Sequence, residues 1–193
     1  MAGDLALLVL AALPLMGSPG PATLSLAGMG AAHGMRLSAH YAVGVNIGTI
    51  AVVLAIAAGV SAIVLELPGI KPALMVFAGA YMIYLAWHIA TAPPVAAQEQ
   101  GAPSFVSGLV LAIANPKAYA AIGAVYAGST TDADEGAIWK VIALSVLAIA
   151  VNTTWLWFGA AIAAILHDPK KARVANLIFA FLLLASVALP LLR

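Results

Sequence analysis

Ala114-Asn115-Pro116-Lys117-Ala118 interrupts an apolar run that extends from Phe105 to Ala127. Proline has no backbone N–H and its ring clashes with the preceding turn, so a helix built from this run breaks here. The break leaves carbonyls on its N-terminal side and N–H groups on its C-terminal side without intrahelical partners. Lys117 adds an ionisable group, which is costly at membrane depth and calls for a pairing or functional reason. Two such costs side by side mark the stretch as half of a substrate site in a membrane transporter.

The membrane assignment rests on composition. The 193-residue chain is 64% hydrophobic and 8% charged, with a mean hydropathy of +1.09, whereas soluble domains carry about 25% charged residues. A net charge of +1 gives no argument for nucleic acid or an anionic surface as partner. The chain has no cysteine, which excludes disulfides, thiol chemistry and Cys-ligated metals. The opening Met1-Ala2-Gly3-Asp4 carries an acid where a signal peptide carries basic residues, so the first apolar run reads as retained structure.

A spanning helix needs about 20 mostly apolar residues. Tyr41–Leu65, Pro72–Thr91, Phe105–Ala127, Trp139–Leu166 and Ala172–Leu192 qualify, and a further run from Leu5 to about Ala32 is interrupted by Gly17-Ser18-Pro19-Gly20-Pro21. The runs are continuous and rich in Ala and Leu without alternation, which argues against strands. The expected fold is all-α and integral to the membrane, with six transmembrane helices of which the first is broken. Five spans plus a re-entrant first segment is the alternative. Ala92–Ser104, with Pro93, Pro94, Pro103 and Gln98-Glu99-Gln100, reads as a solvent-facing linker, and Gly128–Gly136 as an acidic hairpin loop.

Orientation follows from lysine and arginine. The loops after the first, third and fifth helices hold Arg36, Lys170, Lys171 and Arg173, against Lys71, Lys140 and Arg193 on the opposite side. That excess puts both termini outside the cytoplasm. Trp87, Trp139, Tyr41 and Tyr126 fall at helix ends as interfacial anchors, while Trp155 and Trp157 lie deeper. His33, His40, His88 and His167 also sit near helix ends, as interfacial polarity.

The linker 92–104 divides a single membrane domain into half-repeats 1–91 and 105–193. Each half opens on a proline-interrupted helix, Pro19-Gly20-Pro21-Ala22 in one and Asn115-Pro116-Lys117-Ala118 in the other. Each second helix then carries a lone asparagine, Asn46 and Asn152. Three spans per half make this a 3+3 inverted repeat with broken helices 1 and 4, and interrupted segments at matching positions point to a midplane binding site. Half-helix N-termini bind anions, and freed carbonyls hold cations or ammonium groups. No Asp or Glu lies inside a helix, so Lys117 is either neutral or the partner of a substrate carboxylate. The candidate substrate-binding residues are Pro19, Gly20, Pro21, Asn46, Asn115, Pro116, Lys117 and Asn152.

Plainer roles compete with each of these. Lys117 can snorkel to an interface or cap carbonyls freed by Pro116. Pro19, Gly20 and Pro21 can form a simple kink, and Asn46 and Asn152 can be interhelical glue worth about 0.6 kcal/mol. Thr49, Thr153 and Thr154 can bond their own backbone. Gly44, Gly48, Gly79, Gly108 and Gly123 fit close helix packing.

The chain resembles the LysE/RhtB superfamily of bacterial amino-acid exporters over nearly its whole length. Phe105-Val106-Ser107-Gly108 running into Asn115-Pro116-Lys117-Ala118 is similar to that family's fourth helix, and Gly79-Ala80-Tyr81-Met82-Ile83-Tyr84-Leu85-Ala86-Trp87 to its third. Pro19-Gly20-Pro21 resembles its first-helix signature and Gly44-Val45-Asn46-Ile47-Gly48-Thr49 its glycine-rich second helix. The resemblance implies proton-driven efflux, from the bacterial inner membrane, of an amino acid or a related small metabolite. Many relatives look to have an acid near the position of Thr49, and this chain has none.

The leading expectation is thus a secondary transporter and not an enzyme, with an amino acid as cargo, protons as coupling ion, the lipid bilayer as surroundings and no cofactor. A pocket lined by Ala, Val, Ile and Leu favours small or apolar side chains. A bundle this small also suits a homodimer. A metal-ion exporter lacks intramembrane carboxylate, Cys or His clusters to supply ligands. An intramembrane enzyme acting on lipid phosphate lacks a base beside Ser18, Ser25 or Ser107.

Overall fold

The computed structural model describes residues 2–59, 104–128 and 135–165, with isolated helical positions between 76 and 91 and between 170 and 185. The described residues form helices and short connections, with no strand among them. We label the helices α1 (Ala2–Gly17), α2 (Pro21–Ala57), α3 (Phe105–Ile113), α4 (Pro116–Gly128) and α5 (Glu135–Ile165). Apart from the isolated positions, the expected helices at Pro72–Thr91 and Ala172–Leu192, the linker before Ser104 and most of the acidic loop lie outside the described residues. The Gly136–Ile162 part of α5 is long and apolar enough to cross a membrane, α2 is so over its full Pro21–Ala57 length, and α3 with α4, bent by 56°, would make a third span if taken together.

The helix α2 is not one rod. Gly34 has φ 74 inside it, a left-handed conformation that glycine adopts without a Cβ penalty. The Tyr41 hydroxyl donates to Ser25 Oγ at 3.0 Å across this point, although a straight helix would separate those residues by about 24 Å. The chain therefore reverses at Gly34, and Pro21–His33 and Met35–Ala57 pair as an antiparallel hairpin. The Ser38 hydroxyl donates to the Met29 carbonyl at 2.9 Å, which satisfies one of the acceptors the reversal frees.

Three expectations change here. The loop expected around Arg36 is helical, so the second helix begins near Met35 and not at Tyr41. Its end falls at Ala57, where Gly59 at φ 69 takes the left-handed position after the C-terminus. Tyr41 is fully buried and hydrogen-bonded, a core residue and not an interfacial anchor.

Small residues set the crossings. A Cβ added to Gly44 would lie 2.0 Å from the Phe105 carbonyl oxygen, and one on Gly108 would lie 2.2 Å from that of Tyr41. In the same way Gly30 faces the Leu156 carbonyl at 2.2 Å and Gly159 that of Ala27 at 1.9 Å. Backbone thus meets backbone where α2 crosses α3 and where it crosses α5, as expected where lipid supplies no hydrophobic drive between helices. Gly44 and Gly108 fulfil the packing role read from the sequence, whereas Gly123 has nothing within 4 Å of an added Cβ.

Two apolar clusters result. One joins Leu24, Met29, Tyr41, Val45, Leu111 and Leu156, the other Leu8, Val52, Ile122, Val125, Leu144 and Val151. Trp155 packs against both. Leu7, Leu10, Val146 and Trp157 are exposed on the outside, the arrangement of a protein whose surroundings are lipid.

Candidate functional site

The site is built at two helix breaks. At the first, α1 ends at Gly17 and α2 starts at Pro21, whose missing N–H falls where a helix has no use for one. Gly20 is extended, at φ −174, and its N–H donates to Thr23 Oγ1 at 2.9 Å. The Thr23 hydroxyl faces the Gly20 carbonyl at 3.2 Å and that of Ser18 at 3.3 Å. The Trp155 indole donates to the Gly17 carbonyl at 3.0 Å. At the second break, Asn115 Oδ1 accepts from the Lys117 N–H at 3.1 Å and so caps the start of α4.

One side chain joins the breaks. From the first turn of α4, Lys117 Nζ donates to the Ser18 carbonyl and, at 3.2 Å, to the Pro19 carbonyl. The capping role weighed for this lysine is real, but the carbonyls belong to the other half of the chain. Gly20 permits the approach, because a Cβ there would lie 2.5 Å from Lys117 Cδ and 2.8 Å from Nζ. The two lone asparagines also meet, with Asn152 Nδ2 donating to Asn46 Oδ1 at 2.9 Å.

These groups line a half-open cleft with a free volume of about 40 Å³. Its polar wall is Gly20, Thr23, Thr49, Asn115, Lys117 and Asn152; Leu15, Met16, Ile122 and Val151 supply apolar surface. Lys117 is the single charged residue among these described lining residues. Of the sequence-derived candidates, Gly20, Asn115, Lys117 and Asn152 line the cleft. Pro19 contributes its carbonyl to Lys117, Asn46 supports Asn152 from behind, and Pro21 and Pro116 begin α2 and α4.

Sequence reasoning missed Thr23 and Trp155. Thr23 had a signal, since a hydroxyl at the third helical position after an N-cap is suited to bond back to the cap N–H. Trp155 had none, because its partner Gly17 is distant in the chain. The Thr49 hydroxyl bonds its own helix at Val45, 2.8 Å away, and Thr154 bonds Ala150. The Ser18 and Ser25 hydroxyls donate to the carbonyls of Leu15 and Ala22, so neither is held against a base.

Apolar helices that break on either side of a shared polar cleft define a multi-pass membrane protein of the transporter class, where irregular backbone at depth is tolerated only against protein or a cavity. Residues 13–193 match the LysE type translocator family, and the chain belongs to it. It is a transporter and not an enzyme. Comparison with curated proteins and with solved structures gave no match.

Proposed function

We propose that this chain exports amino acids or related small zwitterionic metabolites across the bacterial inner membrane, driven by the proton gradient, with the cleft between the two breaks as the binding site. One observation carries the reading: both breaks, 95 to 99 residues apart in sequence by the spans Pro21 to Pro116 and Ser18 to Lys117, open on the same cleft. A zwitterion needs an anion subsite and a cation subsite a few ångströms apart. The N-terminal end of α4 with Lys117 suits the carboxylate. Freed carbonyls with Asn46 and Asn152 suit the amine.

The same proposal includes a 3+3 inverted repeat of six spans, both termini in the periplasm and assembly as a homodimer. The Asn46–Asn152 hydrogen bond supports the repeat, because matching residues on a two-fold axis touch each other. Rocking of the halves about that contact would alternate access.

The test replaces Lys117 with Met, which keeps length and removes charge. Cells with and without the protein are loaded with a panel of amino acids and toxic analogues, and efflux and resistance are recorded. Lys117→Met is expected to insert at wild-type levels and to lose efflux by at least about tenfold, the worth of one charge-assisted hydrogen bond. Normal export by an inserted variant would remove the carboxylate site.

A further inference from the structure

The Lys117 ammonium rests on two backbone carbonyls that are not its own. Ser18 and Pro19 sit directly after the C-terminal end of α1, where the last carbonyls of a helix carry its negative pole. Their acceptance of Lys117 Nζ makes the first break a ready-made ammonium subsite. Thr23 closes one side of it, with its hydroxyl 3.3 Å from the same Ser18 carbonyl. Gly20 floors it, since any side chain there would strike Lys117. Gly20, Thr23 and Lys117, which frame the subsite, lie on the cleft wall that also holds Asn115 and Asn152.

We propose that the Ser18 and Pro19 carbonyls are the binding subsite for the substrate's ammonium group, and that Lys117 is a tethered occupant which the substrate displaces. The inference rests on the exporter reading above and extends it by assigning each end of a zwitterion to named atoms. An arriving α-ammonium takes the two carbonyls. Lys117 Nζ, freed from them and still anchored on α4, then meets the substrate carboxylate beside the α4 N-terminus. The two carbonyls keep an ammonium donor through the exchange and the freed Lys117 Nζ gains the carboxylate, so selection falls on molecules that carry both charges. An amine without a carboxylate displaces Lys117 and leaves it unpaired. A carboxylate without an amine leaves the carbonyls and Lys117 competing for one another.

The test measures binding to the detergent-purified full chain. The probes are alanine, ethylamine and propionate, with leucine, isopentylamine and 4-methylpentanoate as a larger set. Three proteins are compared: wild type, Lys117→Met and Gly20→Ala. The last keeps the charge but puts a methyl where Lys117 Cδ and Nζ now lie, 2.5 and 2.8 Å from the added Cβ. Its extended backbone accepts any residue.

Wild type is expected to bind the amino acids and to hold the single-charge analogues at least about tenfold more weakly. In Lys117→Met the amines gain about tenfold, because the competitor is gone, while the carboxylates lose about tenfold. In Gly20→Ala the methyl crowds the position that either ammonium takes, so the amines lose, while the carboxylates gain from the released Lys117. Amine affinity unchanged in both variants, with carboxylate binding still lost in Lys117→Met, overturns the exchange and leaves the exporter site standing. Amino-acid and carboxylate affinity unchanged in Lys117→Met overturns both. A second readout is acylation of Lys117 by a succinimide ester, located by peptide mass spectrometry: slow in wild type and faster in Gly20→Ala. Equal rates throughout refute the occupied subsite.

Discussion

Gly159→Ala tests how tightly the site is held by backbone contact. An added Cβ would lie 1.9 Å from the Ala27 carbonyl oxygen, 2.6 Å from its carbon and 2.8 Å from its Cα, against ordinary contact beginning at 3.4 Å. The shortfall is 3.4 − 1.9, or 1.5 Å, and the obstructing atoms are backbone, which cannot rotate aside. Helix α5 must then move away from the Pro21–His33 arm by a comparable distance or deform. Overpacking of this kind costs about 1–3 kcal/mol, a fall of about 2–12 °C in unfolding temperature for a chain of this size.

The displacement reaches the cleft. Asn152 and Trp155 lie on α5 within two turns of Gly159, and they hold Asn46 and the Gly17 carbonyl. Misplacement by about 1 Å at a binding centre costs on the order of a hundredfold in rate, so efflux should fall more than stability alone would predict. Thermal unfolding of the purified chain and efflux from cells of matched expression measure the two effects. Gly123→Ala is the control, with nothing within 4 Å of the added methyl, and should be neutral or stabilising by up to about 1 kcal/mol. An unfolding temperature for Gly159→Ala equal to that of the control would refute the close crossing.

Other perturbations isolate single contacts. A double-mutant cycle with Asn46→Ala and Asn152→Ala should give a coupling of about 0.6 kcal/mol, the average for such bonds in membranes; a coupling of zero would mean the amides do not pair. Trp155→Phe keeps the ring packing and removes the donor to the Gly17 carbonyl, with an expected loss of about 1 kcal/mol in unfolding free energy. Wild-type stability would show that this carbonyl finds another donor. A reporter fused after Arg193 should be active in the periplasm, and cytoplasmic activity would reverse the orientation.

The breaks were legible because proline's missing N–H is a local property. Pro21 and Pro116 each remove a helical donor, and because Pro14 sits inside α1 without ending it, the neighbouring Gly20 and Asn115 are what mark these two as breaks. The partners of the freed groups were not legible, since Lys117 crosses to Ser18, Trp155 to Gly17 and Asn152 to Asn46, each over about a hundred residues or more. Neither composition nor periodicity encodes such pairings. The reversal between the first two spans was expected, but its tightness at Gly34 was missed for another reason. His33, Arg36, Ser38 and His40 read as a polar loop, yet a single glycine with positive φ reverses the chain, and Ser38 satisfies a carbonyl it frees. His33 and Ser38 are buried at the turn, while Arg36 and His40 are exposed beside it.

Charge explains why a lysine belongs at this place. Its backbone stands at the N-terminal end of α4, where the helix dipole amounts to about +0.5 of a charge, and its ammonium reaches the C-terminal end of α1, worth about −0.5. One full positive charge set against these two poles leaves the cleft positive by about one unit, with no carboxylate among the described lining residues to cancel it. In a low-dielectric setting that imbalance is costly, and a carboxylate arriving from outside removes it. An arriving ammonium alone adds to it. The imbalance favours a carboxylate and the Ser18 and Pro19 carbonyls favour an ammonium, together the charge pattern of an amino acid, and a carboxylate placed in the same cleft by mutation of Thr49 to Asp should weaken binding of the cargo's anionic end by at least about tenfold as it neutralises Lys117. Binding that stays unchanged in Thr49→Asp would place the cargo's anionic end elsewhere.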